Sequence, residues 1–194
     1  TGASVCTTCD LGRYCGSTTT TEAEIIFMAN GGVWDKKDDL MGTCFPGTLC
    51  PAGMIQAPDL VSFACSAGYY CARGVTEASP CPAGTYNALS GAWSLSNCTT
   101  SAAGFYSVAA STAVNGICSP GFYCLEGSGS PTEYPCPAGT YRPDYQGTAV
   151  SDCGACPAGS YCPMASYKPL LCPRGYYCPS STSEPIACLP ATYG

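Results

Sequence analysis

The spacing C-x2-G-x-[YL]-C occurs six times along the chain, at Cys9–Cys15, Cys44–Cys50, Cys65–Cys71, Cys118–Cys124, Cys156–Cys162 and Cys172–Cys178. A related form opens the same way and closes later. "CPAGTY" begins at Cys81 and at Cys136, and in both copies the next cysteine lies 17 residues on, at Cys98 and Cys153. With 18 cysteines in 194 residues, such spacing reads as a disulfide scaffold in which cross-links replace much of an apolar core.

One copy of the short loop is altered at both ends. "NCTTSAAGFYS" (97–107) aligns with "DCGACPAGSYC" (152–162) and "VCTTCDLGRYC" (5–15), which places Ser101 and Ser107 where the other copies carry cysteines. If the two cysteines of a short loop bonded elsewhere, losing them would strand two distant partners. Joint replacement argues instead that each short loop closes on itself. The predicted bridges are therefore Cys9–Cys15, Cys44–Cys50, Cys65–Cys71, Cys118–Cys124, Cys156–Cys162 and Cys172–Cys178, with Cys81–Cys98 and Cys136–Cys153 closing the long loops. Each closure is worth about 2–3 kcal/mol on the loop-entropy estimate.

Two cysteines remain unpaired within the chain. Cys6 matches the closing half of a long loop that would open before residue 1, and Cys188, in "CLPATYG", matches an opening half that would close beyond residue 194. Either the chain is a stretch of a longer tandem array, or Cys188 of one subunit bonds Cys6 of the next. "CLPATYG" followed by "TGASVC" reads as a shortened long loop.

Matching cysteines recur at 53 and 54 residues (65 to 118, 118 to 172), the period of a quasi-linear array whose units touch mainly their neighbours. The expected divisions are a closing half-repeat at 1–15, an insertion at 16–43, an extra short-loop segment at 44–64, repeat units at 65–117 and 118–171, and a partial unit at 172–194. The expected fold is small and disulfide-rich: an elongated tandem array of cysteine-rich loops with short β-hairpins and little regular structure. Within "CPAG" the proline suits the second turn position and the glycine the exit. The recurring tyrosines, Tyr14, Tyr70, Tyr86, Tyr106, Tyr123, Tyr141, Tyr161, Tyr177 and Tyr193, read as stacking residues that lie over a disulfide or the next unit's proline, with carbohydrate stacking as the alternative.

In the insertion, Thr21 with Glu24 three residues on has capping-box spacing and Gly31 supplies a stop, predicting one short helix over 22–30. Ile25, Ile26, Phe27, Met28 and Trp34 have little local core to enter, so the insertion is either a solvated decoration or a subunit contact.

Composition narrows the chemistry. Histidine is absent, removing the usual proton shuttle and the commonest metal ligand, and no cofactor or enzymatic activity is expected. Seven Lys and Arg against 13 Asp and Glu cannot build a phosphate-neutralising face, so nucleic acid is not a partner. The longest apolar run, "IIFMA" (25–29), is far short of a membrane span. Zinc is disfavoured because the two C-x2-C pairs, Cys6/Cys9 and Cys153/Cys156, lie far apart, and calcium because "DKKDD" dilutes its carboxylates with lysines. Asn97-Cys98-Thr99 matches an N-glycosylation acceptor, and Thr18, Thr19, Thr20 and Thr21 are candidates for O-linked sugars.

Through C-P-x-G-x-Y and C-x2-C-x2-G-x-Y-C, residues 44–194 and 1–15 resemble the ephrin-receptor-like cysteine-rich repeats of large extracellular proteins. More distantly they are similar to tumour-necrosis-factor-receptor and EGF-like modules. The resemblance departs at Ser101 and Ser107, and at Ala191, where the motif glycine is missing. It implies architecture more than function. The expected function is a structural extracellular glycoprotein, secreted or on the cell surface, building a filament, appendage or coat by head-to-tail assembly with itself or with neighbouring repeats. The alternative is a ligand-binding or adhesive receptor ectodomain.

Overall fold

The structure is a computed structural model and describes residues 44–51 and 62–189. The predicted helix at 22–30, Cys6, the Cys9–Cys15 loop, Thr18–Thr21 and the apolar residues of the insertion lie outside the described residues.

Among these residues the regular structure is a series of two-residue antiparallel hairpins. β1 (Tyr69–Tyr70) pairs with β2 (Ser79–Pro80), β3 (Thr85–Tyr86) with β4 (Thr99–Thr100), and β5 (Phe105–Tyr106) with β6 (Gly116–Ile117). The series continues with β7 (Phe122–Tyr123) and β8 (Tyr134–Pro135), β9 (Thr140–Tyr141) and β10 (Gly154–Ala155), β11 (Ser160–Tyr161) and β12 (Leu170–Leu171), and β13 (Tyr176–Tyr177) and β14 (Ile186–Ala187). Among the described residues helical structure is confined to single 3-10 turns at Leu95–Asn97 and Val150–Asp152. The fold is thus small and disulfide-rich, built of short hairpins with little other regular structure.

Isolated hairpins this short are unstable in water. Cross-links hold them. Cys44–Cys50, Cys65–Cys71, Cys118–Cys124, Cys156–Cys162 and Cys172–Cys178 close the short loops with Cα atoms 5.8–5.9 Å apart, and Cys136–Cys153 closes a long one at 5.7 Å. Cys81 and Cys98 are each disulfide-bonded as well. The described core is almost wholly sulfur: apart from Ala92, every buried apolar residue is a cysteine.

The chain divides into two compact units, one of Thr1–Pro80 with Asn87–Cys98, the other of Cys81–Tyr86 with Thr99–Gly194. In the first, Gly47 N–H donates to Cys71 O and Cys65 N–H returns to Gly47 O, both at 2.8 Å. In the second, the same exchange repeats from loop to loop. The motif glycine donates forward: Gly84 to Ser107, Gly104 to Cys124, Gly121 to Arg142, Gly139 to Cys162 and Gly159 to Cys178, at 2.7–2.9 Å. The opening residue of each following loop donates back: Ser101 to Gly84, Cys118 to Gly104, Cys136 to Gly121, Cys156 to Gly139 and Cys172 to Gly159.

A second backbone feature recurs in the turn beyond each loop. Ala110, Gln146, Ala165 and Ser181 adopt φ of 60–64°, and Gly127 sits at 79°. This left-handed residue donates its N–H to the opening residue of the preceding loop, as in Ala110 to Cys81 and Ala165 to Cys136. Its carbonyl lies against the motif glycine two loops back. A Cβ added at Gly84, Gly121 or Gly139 would collide with the carbonyl oxygen of Gly127, Ala165 or Ser181 respectively. The motif glycines also have φ of 81–85°, beyond the left-handed minimum that other residues tolerate. Two independent constraints therefore require glycine there, whereas the turn needs only a residue that accepts ordinary αL geometry.

Candidate functional site

The loop-closing position shows what the scaffold demands. Cysteine fills it in the bridged short loops. In the unbridged copy Ser101 and Ser107 are both fully buried, and Ser101 Oγ donates to Ser107 Oγ at 2.7 Å. In the long loops it holds Asn87 or Arg142. Asn87 Nδ2 donates to the carbonyls of Tyr69 and Leu89, while the Arg142 guanidinium donates to the carbonyls of Tyr145 and Asp152. Four chemistries, a disulfide, a hydroxyl pair, an amide and a guanidinium, thus occupy one backbone site.

Asn97, the glycosylation candidate, has a structural task. Its Oδ1 accepts the N–H groups of Trp93 and Ser94, both at 3.1 Å, and so caps the 3-10 turn. Asp152 holds the matching place in the next long loop, accepting from Thr148 N–H at 2.7 Å, Thr148 Oγ1 at 3.0 Å and Ala149 N–H at 3.3 Å. The Thr148 backbone N–H, followed by its hydroxyl, holds the Asp152 carboxyl below the usual carboxylate range; Arg142, 3.7 Å away, adds a smaller contribution. The Asn97 amide nitrogen is not used in this cap.

Tyrosine contacts run across the hairpins. Tyr123 and Tyr134 face one another in register, with ring centroids 5.5 Å apart and an interplanar angle of 21°. Tyr106 lies over Gly116, its cross-strand partner, closely enough that a Cβ there would meet the ring at 3.1 Å. For these rings the cross-strand residue is a partner, because the two-residue register puts it directly opposite. The charge of Glu133, and next its hydrogen bond, raise the Tyr134 hydroxyl pKa.

One repeated signal escaped the sequence reading. Ser111, Ser128, Ser166 and Thr182 follow the left-handed residue of successive turns, each donating its hydroxyl to the carbonyl three residues back. Ser111, Ser128 and Thr182 are buried. Their spacing from the loop-opening residue, ten positions on in each case, was present in the repeats and would have revealed them.

The most unusual surface lies at the last described hairpins. Gly47, Gly68, Gly84, Gly104, Gly121 and Gly139 are buried, yet Gly159 and Gly175 are exposed. An added Cβ at Gly159 meets nothing within 4 Å. Tyr176 and Tyr177 are 47% and 52% exposed, whereas Tyr70, Tyr86, Tyr106, Tyr123, Tyr141 and Tyr161 are half-buried. Ile186 and Leu189 are also exposed. Cys188, half-buried, carries the free thiol of the described residues, and its N–H donates to Gly175 O at 2.9 Å, the bond that opens a loop elsewhere.

Among the described residues no cluster of three His, Cys, Asp or Glu is placed to hold a metal, and no helix is long and apolar enough to cross a membrane. No protein-family model and no curated protein matches the sequence.

Proposed function

We propose that this chain is a structural component of an extracellular assembly: a disulfide-stabilised repeat building a filament, appendage or surface coat. The observation that carries this reading is the repeated backbone exchange between successive loops over a cysteine core. Such a design derives stiffness from covalent closure and from bonds that each loop makes to the next, which is the logic of repeat proteins that extend by adding units. Its cysteine density suits an oxidising compartment.

Electron microscopy of native material, with electrophoresis before and after reduction, tests this. Filaments or sheets carrying the chain are expected. A soluble or membrane-tethered species that never assembles would favour the receptor ectodomain instead.

A further inference from the structure

We propose that Asn97 carries an N-linked glycan on its side-chain nitrogen while its side-chain oxygen holds the 3-10 turn of the first long loop. This goes beyond the structural-assembly reading and rests only on the extracellular compartment that the reading includes.

The N–H groups of Trp93 and Ser94 both reach one atom of the Asn97 side chain, each at 3.1 Å. Two donors can converge only on the oxygen, so Oδ1 is the capping atom. Nδ2 has no hydrogen-bond partner among the described residues. At the matching place of the next long loop a carboxylate makes the same cap: Asp152 Oδ2 accepts from Thr148 N–H and Ala149 N–H. The turn therefore requires one acceptor oxygen, and aspartate supplies it. The amide nitrogen at position 97 is surplus to the cap, and it comes with Thr99 two residues on, where the next long loop has Gly154.

Other asparagines lack this combination. Of the four in the chain, only Asn97 is followed at the second place by serine or threonine, the pattern that N-linked transfer reads. Asn87 is buried and donates Nδ2 to Tyr69 O and Leu89 O, bonds that a sugar on that nitrogen would disturb. Around half-buried Asn97, by contrast, Leu95, Ser96, Thr99 and Thr100 are exposed. The Thr99 hydroxyl makes no hydrogen bond among the described residues, although its backbone pairs with Tyr86. Neither residue of the acceptor pattern is thus committed through the atom that the chemistry needs.

The sugar donor is a diphosphate-activated oligosaccharide of the secretory pathway. The bond from its anomeric carbon to the diphosphate oxygen breaks, and the diphosphate leaves with the electron pair. A new bond joins that carbon to Nδ2, which gives up one of its two protons. Oδ1 keeps its lone pairs, so the cap on Trp93 and Ser94 survives the modification. Because the cap fixes the amide, the glycan leaves the turn in a set direction.

Peptide mapping of the full 194-residue chain, from native material and as secreted by a eukaryotic host, tests the site. Peptide-N-glycosidase in heavy-oxygen water should leave a labelled aspartate at position 97 and none at Asn87 or Asn115. Thr99→Ala should abolish the label and Thr99→Ser should retain it. Asn97→Asp should remove the glycan yet keep the thermal midpoint of the Thr99→Ala chain, whereas Asn97→Ala, which also loses the cap, should melt about 2–4 °C lower. An unmodified Asn97 in secreted, disulfide-bonded chain overturns the site and leaves the structural reading standing. A label that persists in Thr99→Ala overturns it too, and equal melting of the aspartate and alanine variants overturns the division of labour within the side chain. Native protein found in a reducing compartment with its thiols free would sink the extracellular reading and the site together.

Discussion

Ser101 and Ser107 face each other in the core, fully buried and joined by one hydrogen bond of 2.7 Å, at the two positions where every neighbouring short loop carries a disulfide. The loop around them keeps the same glycine, the same hairpin and the same bonds to its neighbours. Covalent closure is therefore dispensable in one copy when adjacent copies are closed.

Converting both serines to cysteine should form a bridge without rearrangement and stabilise the chain by about 2 kcal/mol, the loop-entropy value for so short a closure. Non-reducing peptide mapping and thermal unfolding measure this. Ser101→Ala alone should cost about 1–3 kcal/mol by leaving the Ser107 hydroxyl buried without its partner. The double alanine variant should cost less than the sum of the two single changes, a double-mutant coupling that purely additive losses would refute.

The motif glycines and the left-handed turn residues should respond oppositely to exchange. Gly121→Ala introduces a Cβ against the Ala165 carbonyl at φ 83° and should destabilise by more than about 2 kcal/mol. Ala165→Gly relieves left-handed geometry at φ 62° and should be neutral or stabilising by up to about 1 kcal/mol. Denaturant midpoints of the two variants decide the point.

The two equivalent caps should differ in pH response. Asp152 has its pKa lowered in the folded chain, chiefly by Thr148, so its contribution is fully present above the unfolded value of about 3.9 and is lost as pH falls through the lower folded value. Amide exchange at Thr148 and Ala149 should accelerate over that acidic range, whereas the Asn97 cap at Trp93 and Ser94 should show no matching step. Asp152→Asn should abolish the step at its own site.

Among residues 44–189, alkylation without reductant should modify Cys188 alone, since the remaining described cysteines are disulfide-bonded. Mass spectrometry of the tryptic or chymotryptic digest reads this directly. Modification at Cys81 or Cys98 would contradict the bonded state of those two residues.

The order of turns, the repetition and the self-closure of short loops were legible in the sequence because they depend on local spacing: a cysteine, a glycine three residues on, an aromatic, and a second cysteine. Even the paired loss at Ser101 and Ser107 carried its meaning in alignment alone. What the tertiary structure decided was everything that acts between loops. The burial of Gly84, Gly121 and Gly139 arises from a carbonyl two loops away, which no local window contains. The resting place of Tyr106 on Gly116 and of Tyr123 on Tyr134 follows from hairpin register, which sets which residues stand opposite. The three-residue pattern that makes Asn97 a sugar-acceptor candidate says nothing of the backbone N–H groups its oxygen caps, which only the folded turn shows. The exposure of Gly159, Gly175 and Tyr177 likewise has no signature in their own motifs, which match those of buried copies. Burial belongs to the neighbour that covers a residue, and only the packed structure shows which loop supplies it.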